Sequence, residues 1–183
     1  MKLFAILTLM VVPLFAERFD IEIDTAATKV NWILGDVLHT VSGTFKVKKG
    51  DVWFDTGSGK AGGLLVIDAA SGESGSSVRD GRMRKNVLES VKYPEITFVP
   101  DRVDGKVAPV GDSEVELHGM FTIHGGTHEV LMKVKSHIEQ RNVTASISFT
   151  VPYVKWGMKD PSNFLLKVKD SVEIGIEAAA RVR

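Results

Sequence analysis

Few side chains in this sequence are arranged so that they could do chemistry. Asp55-Thr56-Gly57-Ser58, directly after Val52-Trp53-Phe54, matches the aspartic-protease triplet. That reaction needs two aspartates sharing one proton. The chain has one copy and is too short for two lobes, so the enzyme would have to be a dimer built through Asp55. The expected role is instead a hairpin turn closed by the aspartate side chain. Gly57-Ser58-Gly59-Lys60 imitates the end of a phosphate-binding loop, but Phe54 and Ala61 stand where that motif needs glycine and a hydroxyl residue. His118, His124 and His128 lie in one hairpin with no carboxylate at a metal-binding spacing, so they are expected as surface histidines. No Gly-x-Ser-x-Gly nucleophile turn is present. The absence of cysteine excludes thiolate catalysis, thiolate metal sites, disulfides and a lipidated-cysteine anchor. The sequence therefore predicts no enzyme, no metal and no cofactor.

One cluster remains. Arg79, Arg82, Arg84 and Lys85 crowd around Asp80 in the stretch from Ser77 to Pro94, the single helical pattern after the N-terminal segment. Asp80 lies three residues after Ser77, the spacing of a capping box. Met83, Val87 and Val91 recur every four residues with Leu88 beside them, which gives an apolar face. Pro94 ends the pattern. The basic residues are either a solvated helix face or a cationic rim over an apolar cavity, with Asp80 orienting Arg79 or capping the helix.

The rest of the chain reads as strand. Phe19, Ile21 and Ile23 alternate with acids, and Val30, Trp32 and Leu34 continue the pattern toward Phe45 and Val47. Lys49-Gly50 is expected as a hairpin turn before Val52-Trp53-Phe54. Thr56 to Gly63 is a predicted loop, Leu64 to Ile67 a short strand, and Ala69 to Ser76 a connector. Ile96 and Phe98 alternate up to Pro100, and Val103 to Asp112 is a loop. Val115, Leu117, Phe121 and Ile123 form a long strand turned by Gly125-Gly126, and Val130, Met132 and Val134 return. Ala145 to Val151 and Val172 to Ala178 supply two more strands around a loop from Tyr153 to Asn163. About eight alternating strands predict an all-β, antiparallel barrel with a short helical insertion, wide enough for one small ligand.

The 183 residues suit one domain, and 23 basic residues balance 23 acidic ones, which argues against a nucleic-acid binder. Lys2 followed by the apolar run Leu3 to Phe15 is too short to span a bilayer and suits a secretory signal, residues 1–16, leaving a domain over 17–183. The expected location is periplasmic or secreted. Asn142-Val143-Thr144 is a glycosylation sequon, meaningful only in a eukaryotic secretory route.

Taken in order, the motifs resemble one family. Val41-Ser42-Gly43-Thr44-Phe45, then Trp53-Phe54-Asp55, is similar to its opening strands. Arg79-Asp80-Gly81-Arg82-Met83-Arg84 followed by Tyr93-Pro94-Glu95-Ile96-Thr97-Phe98 resembles its most specific signature. His118 to Gly125, Trp156-Gly157 and the closing strand match the remainder. The chain is thereby identified as similar to the YceI-like family of bacterial secreted, lipocalin-like proteins, over nearly its whole length after residue 16. The resemblance implies an eight-stranded barrel and a long apolar pocket for a polyisoprenoid such as a polyprenyl phosphate or an isoprenoid quinone; it does not imply catalysis. The ligand-contacting residues expected on that basis, with strand parity, are Trp32, Phe45, Phe98, Phe121, Phe149, Trp156 and Ile174. Met83 and Leu88 would close one end, and Arg79 and Arg82 would meet the head group. The implied partner is one long-chain isoprenoid lipid, with only transient membrane contact and a homodimer left open. The competing expectation is a secreted structural or partner-binding β domain without a cavity.

Overall fold

The computed structural model describes residues 18–35, 39–162 and 167–183. The signal segment expected over residues 1–16 lies outside the described residues. Nine strands are present among the described residues: β1 (Arg18–Ile23), β2 (Lys29–Gly35), β3 (Thr40–Asp55), β4 (Ala61–Glu73), β5 (Glu95–Asp104), β6 (Gly111–Ile123), β7 (Gly126–Glu139), β8 (Asn142–Val151) and β9 (Val172–Val182). Between β4 and β5 lie α1 (Ser77–Arg82) and a π-helical turn, Met83–Val87.

The nine strands fill eight positions of a closed antiparallel barrel, as the alternation predicts. β1 and β2 share one position. β1 pairs with the second half of β3, Arg18 opposite Asp55, while β2 pairs with the first half, Val30 opposite Phe45. Both also pair with β9. The break between them is hydrogen-bonded internally: the Ala26 and Ala27 N–H groups donate to Asp24 Oδ1. Thr28 Oγ1 donates to the Ala179 carbonyl and accepts from its N–H, which mends the ladder at the gap. From β4 to β9 each strand pairs with the next, and the β3–β4 pairing completes the ring, so among the described residues no sheet edge is left open.

Three local expectations are corrected. Lys49-Gly50 is no turn: β3 runs straight through it for 16 residues, bending at register shifts near Lys46 and Lys49. Gly50 is there for close approach, since a Cβ would come within 2.7 Å of Ile23. β4 also runs well beyond Leu64 to Ile67 and absorbs much of the predicted loop and connector. Its small residues are strand residues because the helix lies on them: a Cβ on Gly72 would strike Met83 and Phe45. Finally, the helix is shorter than its pattern. It ends in the π-turn, where Leu88 N–H donates to the Met83 carbonyl, and Val91 is fully exposed rather than on the apolar face. Ser77 forms no capping box. The Ser74 hydroxyl bonds the buried Asp80 carboxylate instead.

The interior holds two groups of buried side chains. The larger surrounds Phe98, Phe121, Met132, Val151 and Leu88 and reaches the helix. The smaller joins Phe19, Ile21, Ile138, Val143 and Ala180 at the other end.

Candidate functional site

An apolar cavity of about 650 Å³ runs between these two groups along the barrel. Every strand contributes inward side chains to its lining, because alternate residues of a closed sheet point to the axis. Polar lining groups are few, among them Thr28, Ser136, Arg79 and Arg82. Ser136 lies opposite Ala145, and Ala145 opposite Ala178. This row of small side chains leaves interior volume unfilled toward the smaller group.

The structure places ten of the eleven expected contact residues on this lining. Trp32, Phe98 and Phe121 are buried in the wall, and Phe45, Phe149 and Ile174 stand half-buried beside the space. Phe121 meets Phe149 edge-on at 5.4 Å between ring centres. Met83 and Leu88 descend from the helical insertion, and Arg79 and Arg82 stand above them. Trp156 is the exception, and its expected place on the cavity is corrected. Its ring stacks on His128 at 4.0 Å and lies 6.0 Å from Phe121, so it backs the wall without facing the space.

The mouth is identified by residues that both line the cavity and are exposed. These are Val78, at 65%, together with Arg79, Arg82 and Pro161, and all belong to the helical end. The two arginines differ. Arg79 donates from Nε to the Ser74 hydroxyl at 2.7 Å and from Nη2 to the Ser74 carbonyl at 2.8 Å. With Asp80 on the same hydroxyl, it fastens the end of β4 to α1. Arg82 has no hydrogen-bond or ionic partner among the described residues, so its guanidinium faces the mouth uncommitted.

Contacts with His124 hold the insertion over the barrel. Glu89, at positive φ, bonds His124 Nε2 of the β6–β7 turn at 2.6 Å, and Tyr93 packs on the same imidazole at 4.7 Å. On the opposite side of the mouth, Tyr153 donates its buried hydroxyl to the Lys169 carbonyl at 2.8 Å, and burial pushes that phenol up to about 12.

The histidines are not a scattered surface set. His118 is held between Asp101 and Glu129, at 2.6 Å each, and those carboxylates raise its pKa. His128 turns inward onto Trp156, with Nε2 buried and unpartnered among the described residues. The sequence hid these roles because each partner comes from a distant strand or loop. Among the described residues no group of His, Asp and Glu is placed to hold a metal. Asp55 closes the β3–β4 turn: Ser58 N–H and hydroxyl both donate to Oδ1 at 2.7 Å, which holds the carboxyl below its usual range. Val78, Pro161 and Ser136 are lining residues that sequence reasoning missed. Ser136 was legible in part, since it continues the parity of Met132 and Val134.

A family model described as a YceI-like domain matches residues 21–180. Among solved structures, the chain resembles a polyisoprenoid binding domain from Saccharophagus degradans implicated in plant cell wall breakdown. That match has 16% identity and TM-score 0.70, covering 89% of this chain and 98% of that one. It resembles Burkholderia cenocepacia BcnA at 19% identity and TM-score 0.72, covering 86% and 98%. A Campylobacter jejuni YceI protein matches at 18% identity and TM-score 0.66, covering 80% and 87%. At these identities the likeness is one of fold. No curated protein matches the chain.

Proposed function

This chain belongs to the YceI-like family, and from that premise we propose that it is a binding protein that takes up one long-chain amphiphile of the polyisoprenoid class. The tail lies in the barrel and the head group at the helical mouth. The observation that carries this is the cavity itself: about 650 Å³, almost wholly apolar, with all its exposed lining residues at one end. That volume lies within the range of roughly 300–1,000 Å³ common for single small-molecule sites. A tail hiding on the order of 400 Å² would gain about 10 kcal/mol at about 25 cal/mol per Å², before the cost of ordering it. A cavity-free structural domain does not fit this interior. The polyisoprenoid-binding domain with the same fold supports the choice of ligand class.

The mouth suits an acidic head such as a polyprenyl phosphate, because Arg82 has no hydrogen-bond or ionic partner among the described residues and its guanidinium fork matches phosphate oxygens. The protein would carry or store its lipid outside the cytoplasm, exported by residues 1–16. Native mass spectrometry of protein purified from its own host tests the ligand: an isoprenoid mass on the folded protein is expected, and consistently empty barrels would overturn the proposal. N-terminal sequencing of the extracytoplasmic fraction tests export, with a start near Glu17 expected and an intact Met1 refuting it.

A further inference from the structure

We propose that the helical end of the barrel is a docking surface for an anionic lipid bilayer. The inference rests on the lipid-binding reading for its purpose but on separate residues for its warrant. Around the mouth, the segment from α1 to β5 carries Arg79, Arg82, Arg84, Lys85 and Lys92 against only Asp80 and Glu89. Both acids are spoken for, Asp80 buried under Ser74 and Glu89 bonded to His124. Across the mouth, the β8–β9 connection adds Lys155, Lys159, Lys167 and Lys169 against Asp160 and Asp170. The loops at the opposite end carry no such excess: Asp55 and Lys60, Asp104 and Lys106, and Glu139 and Arg141 offset one another. In a chain of zero formal charge, these two segments at the helical end thus hold nine basic residues against four acidic ones.

The same end exposes aliphatic side chains. Val78 is 65% exposed at the mouth and Val91 is fully exposed on the turn after the helix. Apolar tips set among cations are what an interfacial surface needs: the charges are drawn to anionic head groups and the tips enter the acyl boundary. A soluble partner with an acidic face would use the cations but would gain nothing from two isolated valines beside a lipid entrance. A bilayer uses both, and it puts the mouth against the phase from which a lipid must leave.

The test separates docking from ligand uptake. Wild type, Lys85→Glu and Val91→Asp are sedimented with vesicles of phosphatidylcholine alone and with vesicles containing about one third phosphatidylglycerol. Neither substituted residue lines the cavity. Loading is measured apart from any bilayer, with polyprenyl phosphate in detergent micelles. Wild type should bind the anionic vesicles and not the neutral ones. Lys85→Glu should weaken that binding about thirtyfold, a change of two charges at about 1 kcal/mol each, and Val91→Asp about tenfold, with micelle loading unchanged in both. Equal sedimentation with both vesicle types, none with either, or unaltered binding by the variants would overturn the docking surface. Vesicle binding without loading of the wild type would support docking and overturn the lipid-carrier reading instead.

Discussion

The two ends of this barrel are built from different kinds of residue. The far end is sealed by side chains of the strands themselves: Phe19, Ile21, Ile138, Val143 and Ala180 pack together, and Phe19 stacks on Phe54 at 5.0 Å. The helical end is covered by an insertion held on by polar tethers, Glu89 to His124 and Arg79 to Ser74. Apolar packing loses its value only when a side chain is removed, whereas exposed hydrogen bonds can exchange with water at little net cost. On the proposed function, this difference gives sealing to one end and passage to the other.

The strongest challenge to this division is a charge in the shared wall. Phe121→Asp would bury a carboxylate between Phe149 and Trp156, where Phe121 is 5% exposed. The lost ring and the unpaired charge together cost about 5 kcal/mol, which is comparable to the stability of a marginal domain. Loss of the cooperative melt, or of bound lipid, is expected. An unchanged Tm with lipid still bound would mean that the wall does not enclose the ligand. Next in size is Phe19→Ala. It should lower stability by about 3 kcal/mol in a denaturant titration and, by opening the far end, speed lipid release. Slower release, or none of the stability loss, would remove the seal from Phe19.

At the mouth the expected effects are smaller and split between two arginines. Arg82→Ala should leave Tm unchanged and weaken a prenyl phosphate about tenfold, the value of one charge-assisted hydrogen bond, more so at low salt than at high salt. An isoprenoid quinone should respond little. Arg79→Ala should cost about 1 kcal/mol of stability, because its guanidinium holds Ser74, and should weaken phosphate binding through the displaced mouth. Titration of both ligands against both variants checks this. Equal affinities throughout would make the cluster a solvated helix face.

The barrel was legible from alternation because β6 to β9, and β5 as far as Pro100, keep strict parity: Phe98, Phe121, Phe149 and Ile174 were each placed inward from sequence. The eight positions were less so, since one of them is made from two strands joined at Thr28, and no local pattern announces that β1 and β2 continue one another. Lys49-Gly50 misled because a glycine that avoids Ile23 looks like a glycine that turns the chain. Val91 misled because period four persisted past the point where the π-turn shifted the helix face. The cavity was implied by the family resemblance but could not be read from alternation. Parity says which side chains point inward, but whether they meet depends on volumes across the barrel, set by small residues such as Ser136, Ala145 and Ala178 on three strands. Trp156 shows the same limit from the other side, a large aromatic near the pocket whose partner, His128, is apparent only in three dimensions.

The smallest expected effect comes from the wall between the two ends and serves as their control. His118 lies on the outer face of β6, only 13% exposed, between Asp101 of β5 and Glu129 of β7. Asp101 first and Glu129 second favour the charged imidazolium, so its folded pKa lies above the ordinary value of 6.5. A raised pKa means the folded state binds this proton more tightly than the unfolded chain does. The stabilisation is therefore complete below about pH 6.5 and fades as pH rises through the raised folded value. Wild type should lose a little Tm over that interval, and His118→Gln should lose less over the same interval. Lipid loading should not follow, because these three side chains point away from the cavity and touch neither the seal nor the mouth. A loading curve that tracked the His118 titration would couple the outer wall to the entrance and break the division of labour between the two ends.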